Sequence, residues 1–409
     1  MKTAILSVGT EILFGQIVNT NTVYLSQQMN MLGFDVMYHY TVGDNLKRVE
    51  ETIDLAFQDC DLILTTGGLG PTQDDLTKEV ACKALDDTLV MMDDVLEEIT
   101  KYFKTLGREM TENNKKQAIM PSRATVFHND AGTAPGFALE KDGKYIICMP
   151  GPPREMKRMF QKSVVPFLQS MIDGALYYRQ IRFFGIGESM LETQLLDLID
   201  NQTDPTLATY AKEGECSLRI ASKRDTEEEA EQAVDEMLEK VKERVGHYIY
   251  SCDDEELAQV VADRLMEQGL TLSSAESCTG GMFASTMTDI PGISQCFDRG
   301  LVTYSNQAKM EELGVSAETL EKFGAVSEET ALEMVEGLKR VSGSDVCISV
   351  TGIAGPGGGS EEKPVGLVYI GFSYGDKKIC KKIQMRNVNR SWNRHYTLLC
   401  MLNVIYRNI

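Results

Sequence analysis

Three stretches in the last third of the chain carry side chains suited to acyl transfer. AESCTGG (275–281) sets a serine and a cysteine before two glycines, between the apolar run TLSSA and a segment of helical spacing. Backbone N–H groups at such a helix start can stabilise an oxyanion or bind an anion. The same loop also reads as a plain chain reversal. A serine nucleophile needs a base, and the chain has four histidines, His39, His128, His247 and His395. None lies in the glycine-rich stretches, and only His395 falls where folding could bring it near, so a Ser–His or Cys–His arrangement has little support. Lysine is the next candidate: VTYSNQAK (302–309) offers Tyr304 and Lys309, and a partly desolvated lysine with a lowered pKa can deprotonate a serine. TGIAGPGGGSEEKPVG (351–366) is too glycine-rich for an ordinary turn, yet it lacks GK[ST] and is no Walker A loop. Its other reading is a flexible surface loop.

A second constellation lies near the amino terminus. SVGTEIL (7–13), TVGDN (41–45) and TTGGLGPTQDDLT (65–77) place glycines and carboxylates just after apolar runs. Glycine there permits close approach of backbone to a phosphate, and Asp44, Asp74 and Asp75 are the oxygen ligands a hard divalent cation prefers. Gly and Asp also fill ordinary turns and helix caps.

These residues must be positioned by elements, and the periodicity supplies them. TAILSV, then VEETIDLAFQDC with Val49, Ile53 and Phe57 on one face, then LILTT before GGLG, repeat strand and helix in the rhythm of an α/β sandwich with a mainly parallel sheet. YIICM runs into PGPP at 150–153, and a helical tail closes this region near residue 170. From 171 to 250 the texture is that of a small α+β module. RQIRFFGIG and ECSLRIASKR read as strands, and Thr226 to Val245 as an acidic helix with Ala230, Val234, Leu238 and Val241 on one face. Nothing in it has a catalytic look. From 251 to 409 a second α/β domain is expected. Asp253 and Asp254 serve as cap and first-turn acids of a helix over EELAQVVADRL, followed by strands at TLSSA, VCISV and LVYIGF. The fold class is therefore α/β, two three-layer domains joined by an α+β module. AESCTGG then lies at the carboxyl end of a parallel strand, where ligands commonly bind.

Composition excludes other classes. A formal charge of −20 repels phosphate backbones and argues against a general nucleic-acid binder. No run approaches ~18 apolar residues, and MKTAILSVGT has no long apolar stretch with a cleavage site, so neither a membrane partner nor secretion is expected and the location is cytoplasmic. The ten cysteines stand singly, without a CxxC pair, and read as small buried hydrophobes.

Taken together, AESCTGG, RGLVTYSNQAK with FGAVSEET, and TGIAGPGGGSEEKPVG resemble the amidase domain of the competence/damage-inducible protein A family over residues 255 to 400. The resemblance implies deamidation of nicotinamide mononucleotide to nicotinate mononucleotide and ammonia, without a cofactor. Carried over by position, Ser277 is the nucleophile, Lys309 the general base and Tyr304 the partner that orients them, with Cys278 a buried neighbour. Thr351 and Gly352 line the amide site, and Thr279, Gly280 and Gly281 hold the oxyanion. Where the family has a GNR-like stretch this chain reads MRNVNRSWNRHY, leaving Arg390 and Arg394 to meet the substrate phosphate or pyridine. The amino-terminal motifs, with GREMTENNKKQA, GTAPGFAL and MPGPPREMK, resemble the molybdopterin-binding-like domain of the same family over residues 1 to 170. That implies hydrolysis of ADP-ribose to AMP and ribose 5-phosphate with a divalent metal, Mg, Mn or Co. Asp44 and Asp75 match the acidic residues of the motif, Gly67, Gly68 and Gly70 its anion-cradling loop, and Glu11 the pocket edge. The expected whole is a two-site, homo-oligomeric enzyme of pyridine-nucleotide salvage. The alternative is a nucleotide- or pterin-binding adaptor with an inactive amino-terminal domain.

Overall fold

Alternate residues of each short apolar run face opposite sides of a strand, so a run apolar throughout must be buried on both faces. The computed structural model, which describes residues 1–171, 174–386 and 388–409, shows this in two separate units, Met1–Leu176 and Tyr177–Ile409. In the first, strands Asp35–Val42, Lys2–Val8, Leu62–Thr66 and Lys144–Met149 lie parallel in that order. Gly136–Lys141 and Thr125–Phe127 extend the sheet antiparallel. Ala4, Leu6 and Ile63 pack with Val49, Ile53 and Ala56 of helix Leu46–Asp59 on one face. Ile5, Leu62 and Leu64 pack with Leu25, Met29 and Phe160 on the other.

The second unit holds two sheets. Thr206–Lys212, Glu215–Arg224, Ala175–Phe183 and Ile249–Ser251 form a four-stranded sheet in that order. Helix Glu227–Val245, capped by the Thr226 side chain, buries Ala230, Val234, Leu238 and Val241 as its spacing requires. The other sheet runs Phe297–Val302, Leu272–Glu276, Val346–Gly352, Leu367–Tyr374, Lys377–Gln384. Its first three strands are parallel and its last two antiparallel. Helices Leu257–Gln268, Met282–Thr288 and Arg390–Tyr406 feed one core, and Asn306–Leu313 and Glu328–Ser342 the other.

Two features differ from the sequence expectation. The helix expected to be capped by Asp253 and Asp254 starts at Leu257. The carboxylates are engaged by arginines instead, Asp253 by Arg179 at 2.7 Å and Asp254 by the buried Arg182 at 2.6 Å. A buried guanidinium must be paired, and that need outweighs a cap. The strand Lys377–Gln384 carries exposed lysines along its length, the composition of an edge strand, which conceals its apolar alternation.

Candidate active site

Strand register creates the site in the second unit. Glu276 pairs with Val302 on one side and with Val350 on the other, so Ser277 and Thr303 leave the sheet level with Thr351, which is still in its strand. The Ser277 N–H donates to the Val350 carbonyl at 3.1 Å, and the Thr303 N–H to that of Glu276 at 2.9 Å. From helix Asn306–Leu313, Lys309 reaches back and places Nζ 3.1 Å from Ser277 Oγ. The ammonium also donates to the carbonyls of Thr303 at 2.8 Å and Tyr304 at 3.3 Å. Lys309 is 1% exposed and Ser277 9%. Burial holds the lysine below its ordinary pKa of 10.5, opposed weakly by the Cys278 thiol. Cys278 itself sits in the apolar core, and burial pushes its pKa up to about 12. Burial thus disfavours the Cys278 thiolate, and of the two side chains it is Ser277 that Lys309 reaches.

The loop after Ser277 turns through Gly280 at φ 60° and Gly281 at φ 88°, a left-handed pair that explains the two glycines. Two of the three amides expected to hold an oxyanion are already used. Gly280 N–H donates to the Ser277 carbonyl at 3.1 Å, and Gly281 N–H to Glu276 Oε2 at 3.0 Å. Oε2 also accepts from Phe283 N–H at 3.1 Å, and Oε1 from Ala284 N–H at 2.9 Å. Sequence reasoning passed over Glu276 because an acid before a Gly-Gly turn resembles a solvated cap, whereas this one is fully buried. Among the described residues, the Cys278 and Thr279 amides donate to no backbone acceptor outside the loop's own residues. Among the described residues the buried hydroxyls of Thr279 and Thr303 also lack a hydrogen-bond partner. These groups can still bond to a ligand.

Other expectations shift in detail. Tyr304 orients Lys309 through its carbonyl; its ring is 61% exposed and its hydroxyl accepts from Arg390 Nη2 at 3.3 Å. The Thr351 hydroxyl donates to the Ala325 carbonyl at 2.7 Å and so ties the strand end to a neighbouring loop. Gly352 is a packing position, since a Cβ there would lie 2.6 Å from Val368 Cγ2. Both arginines do gather at the site: Arg390 donates to the Gly355 carbonyl at 2.8 Å and Arg394 to that of Thr279 at 2.5 Å. Their guanidinium groups thus bracket the nucleophile loop and the glycine-rich loop with positive charge.

The amino-terminal candidates assemble less completely. Glu11 lies on the edge of a cleft of about 50 Å³ bounded also by Val18, Asn21, Thr66 and Gly151. Gly67 is at φ 104°, and a Cβ there would lie 2.0 Å from the Val8 carbonyl oxygen. Its amide donates to Met149. Cβ atoms at Gly68 and Gly70 would strike Thr77 Oγ1 and Asp75 Oδ2. The glycines are therefore required by the loop's own packing. Asp44 Oδ2 accepts from the Thr10 amide at 2.9 Å and hydroxyl at 2.7 Å, and Asp75 Oδ2 from the Thr72 amide and hydroxyl at 2.9 and 2.5 Å. Among the described residues no three His, Cys, Asp or Glu side chains converge as a cation would need. Asp44 and Asp75, the expected metal donors, each hold their own turn through Oδ2.

Fold and site define an α/β protein with a buried serine–lysine pair at the carboxyl ends of parallel strands. The chain belongs to the CinA, or competence-damage inducible, family. Residues 254–409 match the model of the CinA C-terminal domain, 178–251 that of the damage-inducible protein CinA KH domain, and 4–170 that of a probable molybdopterin binding domain. A relative from Caldicellulosiruptor saccharolyticus that carries the competence-damage inducible name is 51% identical over 373 residues, 91% of each chain. A CinA-like protein of Dictyoglomus thermophilum is 45% identical over 409 residues, covering 100% of this chain and 99% of its own. Among solved structures, the competence/damage inducible protein CihA from Agrobacterium tumefaciens is 43% identical, covering 37% of this chain and 92% of its own, with a TM-score of 0.36.

Proposed function

We propose that the second unit is a serine–lysine amidohydrolase and that its substrate is nicotinamide mononucleotide. The observation that carries the reading is the 3.1 Å approach of a buried lysine, lowered in pKa by burial, to the hydroxyl of Ser277. Neutral Lys309 takes the Ser277 proton as Oγ bonds to the carboxamide carbon. The carbonyl oxygen becomes an oxyanion, and the Cys278 and Thr279 amides are the donors left to meet it. Collapse breaks the C–N bond, Lys309 returns the proton, and ammonia leaves. Water then adds to the acyl-serine with Lys309 again as base, releasing the acid and restoring Ser277. Arg390 and Arg394 supply the positive charge that suits a phosphate-bearing substrate. The test is ammonia release from nicotinamide mononucleotide. Ser277→Ala is expected to lose about a thousandfold or more, Lys309→Ala about 10²- to 10⁴-fold, and Cys278→Ala to stay within about threefold, since its thiol is only core. Near-normal release by Ser277→Ala sinks the assignment.

For the first unit the activity to be tested is hydrolysis of ADP-ribose to AMP and ribose 5-phosphate. What supports it is the resemblance of the domain's motifs to the family; the cleft beside Glu11 is too small to take the whole substrate, and no chemical step is assigned to Asp44 or Asp75. AMP and ribose 5-phosphate formed with added divalent metal and lost in chelator support this reading; cleavage unchanged in chelator contradicts its metal dependence, and no product with metal present supports an adaptor that only binds nucleotide or pterin.

A further inference from the structure

We propose that Glu276 is the positioning residue of the amidase site, its carboxylate clamping the nucleophile loop from inside. The proposal rests on the serine–lysine reading above.

Glu276 ends the middle one of the three parallel strands with its side chain fully buried, and its two oxygens accept three N–H groups, from Gly281, Phe283 and Ala284. These are the cap and first-turn donors of helix Met282–Thr288, groups that have no partner within a helix. A charged acceptor bonded to several amides at near 3 Å holds them far more rigidly than water. The clamp closes a ring from Glu276 forward to Ala284 that contains Ser277. Inside it the turn is tied by Gly280 N–H to the Ser277 carbonyl, and its entrance by Ser277 N–H to Val350. Meanwhile the Glu276 carbonyl accepts from Thr303 N–H, and the Thr303 carbonyl accepts from Lys309. One residue thus fixes the nucleophile through its side chain and the base through its main chain, and substitution of the side chain isolates the first role.

The clamp also decides where the oxyanion goes. A helix start is usually free to meet an anion, but here the protein's own carboxylate fills it. Developing negative charge must therefore meet the loop upstream of Gly280, next to the serine.

Glutamine at 276 keeps the shape but offers one acceptor oxygen and turns an NH₂ toward N–H donors, so the loop loosens. Aspartate keeps the charge and falls short of the amides. The experiment follows sulfonylation of Ser277 in the full-length chain by phenylmethylsulfonyl fluoride, which forms an Oγ–S bond and releases fluoride. Labelling is measured by intact mass across a pH series, beside thermal unfolding and ammonia release. Glu276→Gln and Glu276→Asp are expected to label about tenfold or more slowly on the plateau. The pH midpoint should stay put, because Lys309 is untouched, and ammonia release should fall in kcat with KM little changed. A folded Glu276→Gln that labels at the wild-type rate overturns the proposal and leaves the serine–lysine reading standing. A folded wild type that does not label overturns that reading, and the proposal with it. Should the variants not fold, hydrogen exchange of the wild type decides: slow exchange at Gly281, Phe283 and Ala284 supports the clamp, and exchange as fast as in the exposed 357–362 loop overturns it.

Discussion

Lys309 does chemistry only when neutral, and burial favours that form, so the pH dependence of the rate is fixed in sign. Activity rises with pH through a midpoint below the ordinary lysine value of 10.5 and levels off above it. A kcat/KM profile for nicotinamide mononucleotide that falls with pH across this range contradicts the assigned base. A second buried lysine tests the same physics on stability. Lys78 is 5% exposed, donates to the Lys116 carbonyl at 2.6 Å, and burial lowers its pKa to about 8. Its folded pKa lies below its unfolded one. Between pH about 8 and about 10.5 the unfolded chain therefore binds the extra proton, and stability increases with pH through that window. Lys78→Met is expected to stabilise the first unit at neutral pH by roughly 1–3 kcal/mol, the burial penalty less one lost hydrogen bond. It should also flatten the rise, as read by denaturant unfolding at several pH values. No gain at neutral pH means that the site is better solvated than its geometry indicates.

At the scale of elements, the base is only as well placed as the helix that carries it. Asn306–Leu313 packs on Glu328–Ser342, where a Cβ added at Gly337 would lie 1.8 Å from the Leu313 carbonyl oxygen. Glycine is needed there for close approach. Gly337→Ala should cost about 1–3 kcal/mol through overpacking and displace Lys309 from Ser277. The expected outcome is a lower melting temperature and a loss of ammonia release larger than the loss of folded protein. Equal losses place the defect in folding alone. The opposite edge is tied differently: the Asn393 amide donates to the Ala354 carbonyl and Arg390 to that of Gly355, so the glycine-rich loop is anchored at its start by helix Arg390–Tyr406.

Over the whole chain a net charge of −20 predicts that duplex DNA is not retained at physiological salt, which fluorescence anisotropy would check. Tight binding that falls steeply with salt overturns that reading, whatever the fold of the 178–251 segment. No helix among the described residues is long and apolar enough to cross a membrane. The sequence by itself determined the strands whose residues are apolar on both faces, the stripe of helix Glu227–Val245 and the glycine turn after Ser277, while the grouping of Ser277, Lys309 and the two arginines rested on family resemblance. Those signals are local: a two- or four-residue period, or a motif whose glycines permit only one turn. Tertiary structure alone decided the rest. It turned Tyr304's phenol outward and kept its carbonyl, withdrew Asp253 and Asp254 from a cap to arginines, left Asp44 and Asp75 in separate turns, and buried Glu276 against three amides. Which acceptor a donor meets depends on groups far away in the chain, and the need to satisfy every buried polar group is settled only when the whole fold closes.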